Sequence, residues 1–237
     1  MSNLSPAQIQ LGMPTLIEHS SLDQSLALCL ELGLDFVELN MNLPEYQLDN
    51  INASDVVEML ANTGKYLTIH LDENINVCDF NNAIADAYLN TVLHSIKFAA
   101  KINSPIINMH IADGVYITLP ERKVYLYEQY FDRYMDKLRI FRDACDVAVA
   151  RSNVKICIEN CGKYHDFQRR GIMLLLESPR FALTYDIGHD YLAGRRNEAF
   201  ILSNSERLAH MHVHDATSSS VHLPIGDGEL DFVYISL

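Results

Sequence analysis

Short apolar runs rich in β-branched residues alternate along this chain with longer stretches of helical period, the pattern of βαβ units and a parallel sheet. Ile9–Ile17 is a weak first strand. Ser20 and Ser21 offer N-caps for a helix through Leu32 that Gly33 would end, Asp35–Asn40 is the second strand, and Ser54 caps a short helix stopping near Gly64. Tyr66–His70 is the third strand and Pro105–His110 the fourth. Between them Ile84, Tyr88, Val92, Ile96 and Ala99 mark one face of an amphipathic helix, and Tyr127, Tyr130, Phe131, Tyr134, Leu138, Phe141 and Cys145 mark another, whose spacing reads as core. Val154–Cys161 is the fifth strand, a helix lies around Ile172–Glu177, Phe181–Asp186 is the sixth strand, a helix runs near Asn197–Arg207, and Leu208–His214 is the seventh strand.

Seven β/α repeats with continuous apolar strands, and no Gly-rich turn after the first, favour a TIM-type (β/α) barrel over an open nucleotide-binding sheet. The expected domain is one barrel over residues 1–237, apparently lacking the eighth β/α unit and C-terminally incomplete. Asp231 would cap the seventh helix, and the chain stops at Leu237, six residues later. The gap can be met by a longer parent protein, by a partner chain or second copy, or by closure of the first strand on the seventh; the first is favoured.

Eighteen Lys and Arg against 31 Asp and Glu give a formal charge of −13, which disfavours a nucleic-acid partner over most of the surface. The longest apolar runs fall well short of the roughly 20 residues that span a bilayer, and the N-terminus carries no basic region followed by an apolar segment. Five cysteines, few and odd in number, fit reduced thiols. A cytoplasmic protein is expected.

The polar residues at the strand ends carry the chemistry. His70, His110, Glu159, Asp186 and His212 close five of the runs at their carboxyl ends, where barrel enzymes build their sites. A carboxylate at the end of a buried strand is costly as an ion unless a cation or proton accompanies it, and imidazole with carboxylate suits zinc or manganese. One or two divalent ions are expected. His214 continues the seventh strand on the same side as His212, and Lys163 lies in the loop after Glu159.

Four motifs then stand in order: Ile158-Glu159-Asn160, Tyr185-Asp186-Ile187-Gly188-His189, His212-Val213-His214-Asp215, and His222-Leu223-Pro224-Ile225-Gly226-Asp227-Gly228-Glu229-Leu230-Asp231. With these the chain resembles the xylose-isomerase-like barrel superfamily, which holds sugar and sugar-phosphate isomerases and epimerases as well as endonuclease IV. The resemblance implies that Glu159, Asp186 and His212 share a divalent metal, with a further Glu expected from an eighth strand that is absent here. It also implies that Glu159 exchanges protons with a substrate carbon beside a carbonyl, and that His189 touches a substrate oxygen. Beside what the resemblance implies, His214, His222 and Lys163 are candidates for substrate binding or for a shell behind the metal ligands. The endonuclease IV branch implies a second metal on His70, His110 and Glu159, and a third on His189 with an Asp-x-His pair that here reads Ser220-Val221-His222.

Three functions follow as expectations. The leading one is a divalent-metal-dependent sugar or sugar-phosphate isomerase or epimerase. The alternatives are an endonuclease IV-like phosphodiesterase and a metal-binding barrel without catalytic activity.

Overall fold

A computed structural model describes residues 9–150 and 152–232. In chain order it holds β1 (Gly12–Pro14), α1 (Leu22–Glu31), β2 (Phe36–Asn40), α2 (Ala53–Thr63), β3 (Tyr66–His70), α3 (Asn82–Lys101) and β4 (Ile106–His110). A hairpin of β5 (Tyr116–Thr118) and β6 (Lys123–Tyr125) follows, then α4 (Leu126–Gln129), α5 (Phe131–Val149), β7 (Lys155–Glu159) and α6 (Asp166–Leu176). The described chain ends with β8 (Phe181–Asp186), α7 (Ile187–Leu192), α8 (Glu198–Leu202) and β9 (Leu208–His212). The helix expected from Asp231 onward lies outside the described residues. Among the described residues no helix is long and apolar enough to cross a membrane.

Seven parallel strands form one sheet in the order β1, β2, β3, β4, β7, β8, β9. In a flat sheet β2 and β9 would lie about 24 Å apart, five spacings of about 4.8 Å. Instead His212 Nε2 of β9 stands 2.7 Å from Glu38 Oε1 of β2, so the sheet is curled until distant strands meet across its interior. Among the described residues no ladder joins β1 to β9, so closure of the first strand on the seventh, one of the three possibilities, is not formed there.

The strands are not continuously apolar as expected; they alternate. Val37, Leu39, Leu67, Ile69, Ile107, Met109, Ile156, Ile158 and Leu183 are buried among helix residues such as Leu26, Val56, Ile96, Leu138 and Ile172. The residues between them point the other way, into the barrel. Register arranges these in two layers. Glu38 pairs with Thr68, Asn108 with Cys157, and Thr184 with His210; two residues further on, His110 pairs with Glu159 and Asp186 with His212. A β-bulge places Ala209 between the pairs Leu183–Leu208 and Thr184–His210. That extra residue turns both His210 and His212 inward, since a one-residue slip exchanges the two faces of a strand.

Several boundaries differ from expectation for local reasons. The first strand is only Gly12–Pro14. Asn52, rather than Ser54, caps α2: its side chain accepts the Ser54 N–H at 2.8 Å, and Gly64 at φ 67° ends the helix. The helix near Ile172 begins at Asp166, because the Gln168 side chain accepts the His165 N–H at 2.8 Å and so secures the first turn. The stretch expected as a helix over Asn197–Arg207 is α8 followed by a 3-10 turn, Ser205–Arg207, and the seventh strand stops at His212. The hairpin and the short helix α7 had no counterpart in the sequence reading.

Candidate metal centre

Glu159, at the end of β7 and 2% exposed, is the hub of the barrel mouth. Its Oε1 lies 2.7 Å from His212 Nδ1, and its Oε2 lies 3.3 Å from His70 Nε2 and 3.5 Å from His110 Nε2. The Asn108 amide also donates to Oε2. Asn108 cannot turn away, because its oxygen accepts the Thr184 hydroxyl at 2.5 Å. Burial by itself would raise the Glu159 pKa; hydrogen bonds from His110, His212 and His70 overturn that and hold the carboxyl well below the ordinary carboxylate range. His110 responds in kind. Burial opposes its charge, but hydrogen bonds to Cys161 and Glu159 raise it to about 10.

Below this layer sits a carboxylate that is not at a strand end. Glu38 is buried in the middle of β2, accepting from Thr68 Oγ1 at 2.9 Å and facing His210 Nε2 at 3.0 Å and His212 Nε2 at 2.7 Å. Burial would raise its pKa, and the two imidazoles instead hold it far below the ordinary carboxylate range. Glu38 and Asn108 lie inside their strands rather than at the ends; the mark they leave in the sequence is a polar residue at every second position of strands that are otherwise apolar. His212, between the carboxylates of Glu38 and Glu159, is raised well above the usual histidine pKa, hydrogen bonding to both outweighing its burial.

Asp186 closes β8 at the edge of the cluster, its Oδ2 3.8 Å from His212 Nδ1 and 3.1 Å from His214 Nε2. Its Oδ1 accepts the His189 N–H at 2.7 Å and thereby caps α7. Asn160 clamps the two strand ends, donating to the Asp186 carbonyl at 2.8 Å and accepting the Asp186 N–H at 3.0 Å. His189, His214 and His222 gather beside Asp186, with ring centroids 5.5, 5.0 and 4.4 Å apart. Gly188 admits this packing, since a Cβ there would meet the His214 ring at 2.0 Å. His189 and His222 are lowered, by burial first and also by the charge of His214; burial opposes the charge of His214 as well, but the bond to Asp186, the charge of that carboxylate and the bond to the Asp215 backbone together raise it. Lys163 is exposed, and no hydrogen bond among the described residues ties it to either cluster.

Three groups have donor atoms that all lie within 4.8 Å of one another: His70 with Glu159 and His212, Glu38 with His210 and His212, and His189 with His214 and His222. Mixed imidazole and carboxylate donors around Glu159 fit a borderline divalent ion. Asp186 reaches the first group through His212, and His110 reaches it through Glu159 Oε2 and an edge-to-face contact with His70.

Comparison with known proteins agrees with this architecture. The family described as xylose isomerase-like TIM barrel matches residues 26–236. An uncharacterised protein of Methanocaldococcus jannaschii is 26% identical over 211 residues, 76% of this chain and 79% of that one. Among solved structures, a D-tagatose 3-epimerase-like protein superimposes with a TM-score of 0.75 at 20% identity, over 95% of this chain and 84% of that one. The 3-keto-D-glucoside 4-epimerase YcjR of E. coli gives 0.72 at 18% identity, over 95% and 85%. The IolI protein with a bound zinc atom gives 0.64 at 16% identity, over 87% and 73%. At these identities the likeness establishes the fold.

Proposed function

Because the chain belongs to the xylose isomerase-like TIM barrel family, we propose that it is a divalent-metal-dependent isomerase or epimerase of a small sugar or sugar phosphate, moving a proton on a carbon beside a carbonyl. The observation that carries the reading is Glu159, a buried carboxylate whose two oxygens are approached by His70, His110 and His212 at the barrel mouth. Zinc or manganese held by Glu159, Asp186 and His212, with His70 in reach, would polarise the substrate carbonyl and stabilise enediolate-like charge. The epimerase neighbours and the zinc of IolI support the same reading.

The chain's own groups have distinct tasks in it. Glu159 is ionised, so it can accept a proton; its basicity rises when one of its imidazole donors turns to the substrate instead. His110, protonated at neutral pH, sets a positive charge beside the mouth for a substrate oxygen. His189, lowered and so neutral, can accept from or donate to a substrate hydroxyl. His214 and His222 flank it, and exposed Lys163 can receive an outer oxygen or a phosphate.

Incubating the protein in deuterated water with zinc or manganese and a panel of aldoses, ketoses and their phosphates tests this. Deuterium should enter the carbon beside the carbonyl of at least one sugar, stop on chelation and resume on adding metal back. Exchange that ignores chelation would contradict the reading. A second reading, an endonuclease IV-like phosphodiesterase, is favoured by the His189–His214–His222 group, which offers a further metal position across the mouth. Cleavage of duplex DNA at an abasic site would support it, and intact DNA with two equivalents of zinc bound would end it. Zinc binding with neither exchange nor cleavage would leave a metal-binding barrel without catalysis.

A further inference from the structure

We propose that Glu38 is the positioning residue that fixes His212, directing its Nε2–H into the barrel and its Nδ1 toward the mouth. The inference rests on the metal-centre reading for its consequence, and on the hydrogen-bond pattern alone for its content. An ionised carboxylate only accepts hydrogen bonds. Glu38 Oε1, 2.7 Å from His212 Nε2, therefore requires a hydrogen on that nitrogen. The opposite arrangement would set an imidazole lone pair against a buried anion.

Glu38 is itself held. Its other oxygen accepts from Thr68 Oγ1 at 2.9 Å and meets His210 Nε2 at 3.0 Å, and the side chains of Glu38 and His210 are each 8% exposed. The carboxylate can neither rotate without losing both partners nor escape to water. His70 stacks on His212 with rings 18° from parallel and centroids 5.7 Å apart, which opposes a flip of the ring. A neutral imidazole that ligates a cation keeps one N–H, and Glu38 decides that it is Nε2. Without a cation Nδ1 also carries a hydrogen, donated to Glu159 Oε1 at 2.7 Å. A cation held by Glu159 and Asp186, whose Oδ2 lies 3.8 Å from Nδ1, would take the place of that hydrogen and leave Glu38 holding the one on Nε2. Carboxylates that hold the far nitrogen of a ligating histidine typically account for 10–100-fold in metal affinity.

The test compares wild type with Glu38→Ala and Glu38→Gln, each first shown to melt cooperatively. Histidine-selective nitrogen NMR of the metal-free protein should show a slowly exchanging His212 Nε2–H that is lost in Glu38→Ala. Zinc titration should show about 10–100-fold weaker binding in Glu38→Ala at unchanged stoichiometry, with a smaller loss in Glu38→Gln, whose amide oxygen can still accept. A retained Nε2–H resonance in a folded Glu38→Ala would overturn the proposal. So would the loss of a whole zinc equivalent, which would make Glu38 a ligand. Absence of zinc binding in wild type would instead sink the metal reading, and the Nε2–H resonance would still decide the role of Glu38.

Discussion

Glu159→Gln should lower the metal-dependent exchange of substrate hydrogen by about 10²–10⁴-fold, the range lost with a general base, while also weakening metal binding. The substitution is nearly isosteric, yet it cannot preserve the hub. One oxygen of Glu159 serves His212; the other serves His70, His110 and Asn108. A glutamine leaves one of these sets facing an N–H, and Asn108 cannot exchange its own ends without breaking the Thr184 bond. His110 would then lose the part of its rise that comes from Glu159 and keep the part that comes from Cys161. In the wild type the stabilisation from a raised histidine is complete below its unfolded pKa of about 6.5 and disappears as pH rises through about 10. Stability of the variant should show a shallower alkaline slope that sets in at lower pH, which thermal melts from pH 6 to pH 11 would show. Unchanged exchange in Glu159→Gln would remove Glu159 from the chemistry.

Asp215→Ala should release the loop that carries His222 and expose it to protease, with cleavage between residues 216 and 230 at least about tenfold faster than in wild type. Asp215 is buried just after β9 and accepts four backbone N–H groups: Ala216 at 2.8 Å and Leu230 at 3.1 Å on Oδ1, Gly226 at 2.9 Å and Gly228 at 3.0 Å on Oδ2. Gly228 is required for this wrapping, since a Cβ there would meet Asp215 Oδ1 at 2.2 Å. Burial would raise the carboxyl, but bonds from Leu230, Gly226, Gly228 and Ala216 bring it to about 2. A depressed carboxylate contributes stability above its unfolded pKa, near 4, and loses it as pH falls through about 2. The difference between wild type and the milder Asp215→Asn should therefore be full at neutral pH and vanish toward pH 2. A loop equally resistant in both proteins, at every pH, would contradict this account.

The barrel was legible because strand and helix periods differ and because six of the strand runs stand close to their observed places. The mouth was legible through its end residues: His70, His110 and His212 do converge on Glu159. What stayed hidden has physical reasons. Glu38, Thr68 and Asn108 lie one layer deeper, and only their alternation with apolar neighbours betrays that they face inward. The bulge at Ala209, which aims His210 and His212, leaves no mark in composition. The hairpin Tyr116–Tyr125 is short and its β5 exposed, so no apolar period announces it. Asp215 looked like the end of a strand motif, while its four bonds depend on how residues 216–230 fold back.

A divalent cation on the buried Glu159 carboxylate and an imidazole would be visible in a crystal. Anomalous diffraction from crystals soaked in zinc tests for it most directly. A peak is expected about 2.0–2.2 Å from a Glu159 oxygen and from His212 Nδ1, with Asp186 drawn into contact. A fully loaded crystal in which zinc avoids Glu159, or in which His212 presents Nε2 to the ion, would contradict it.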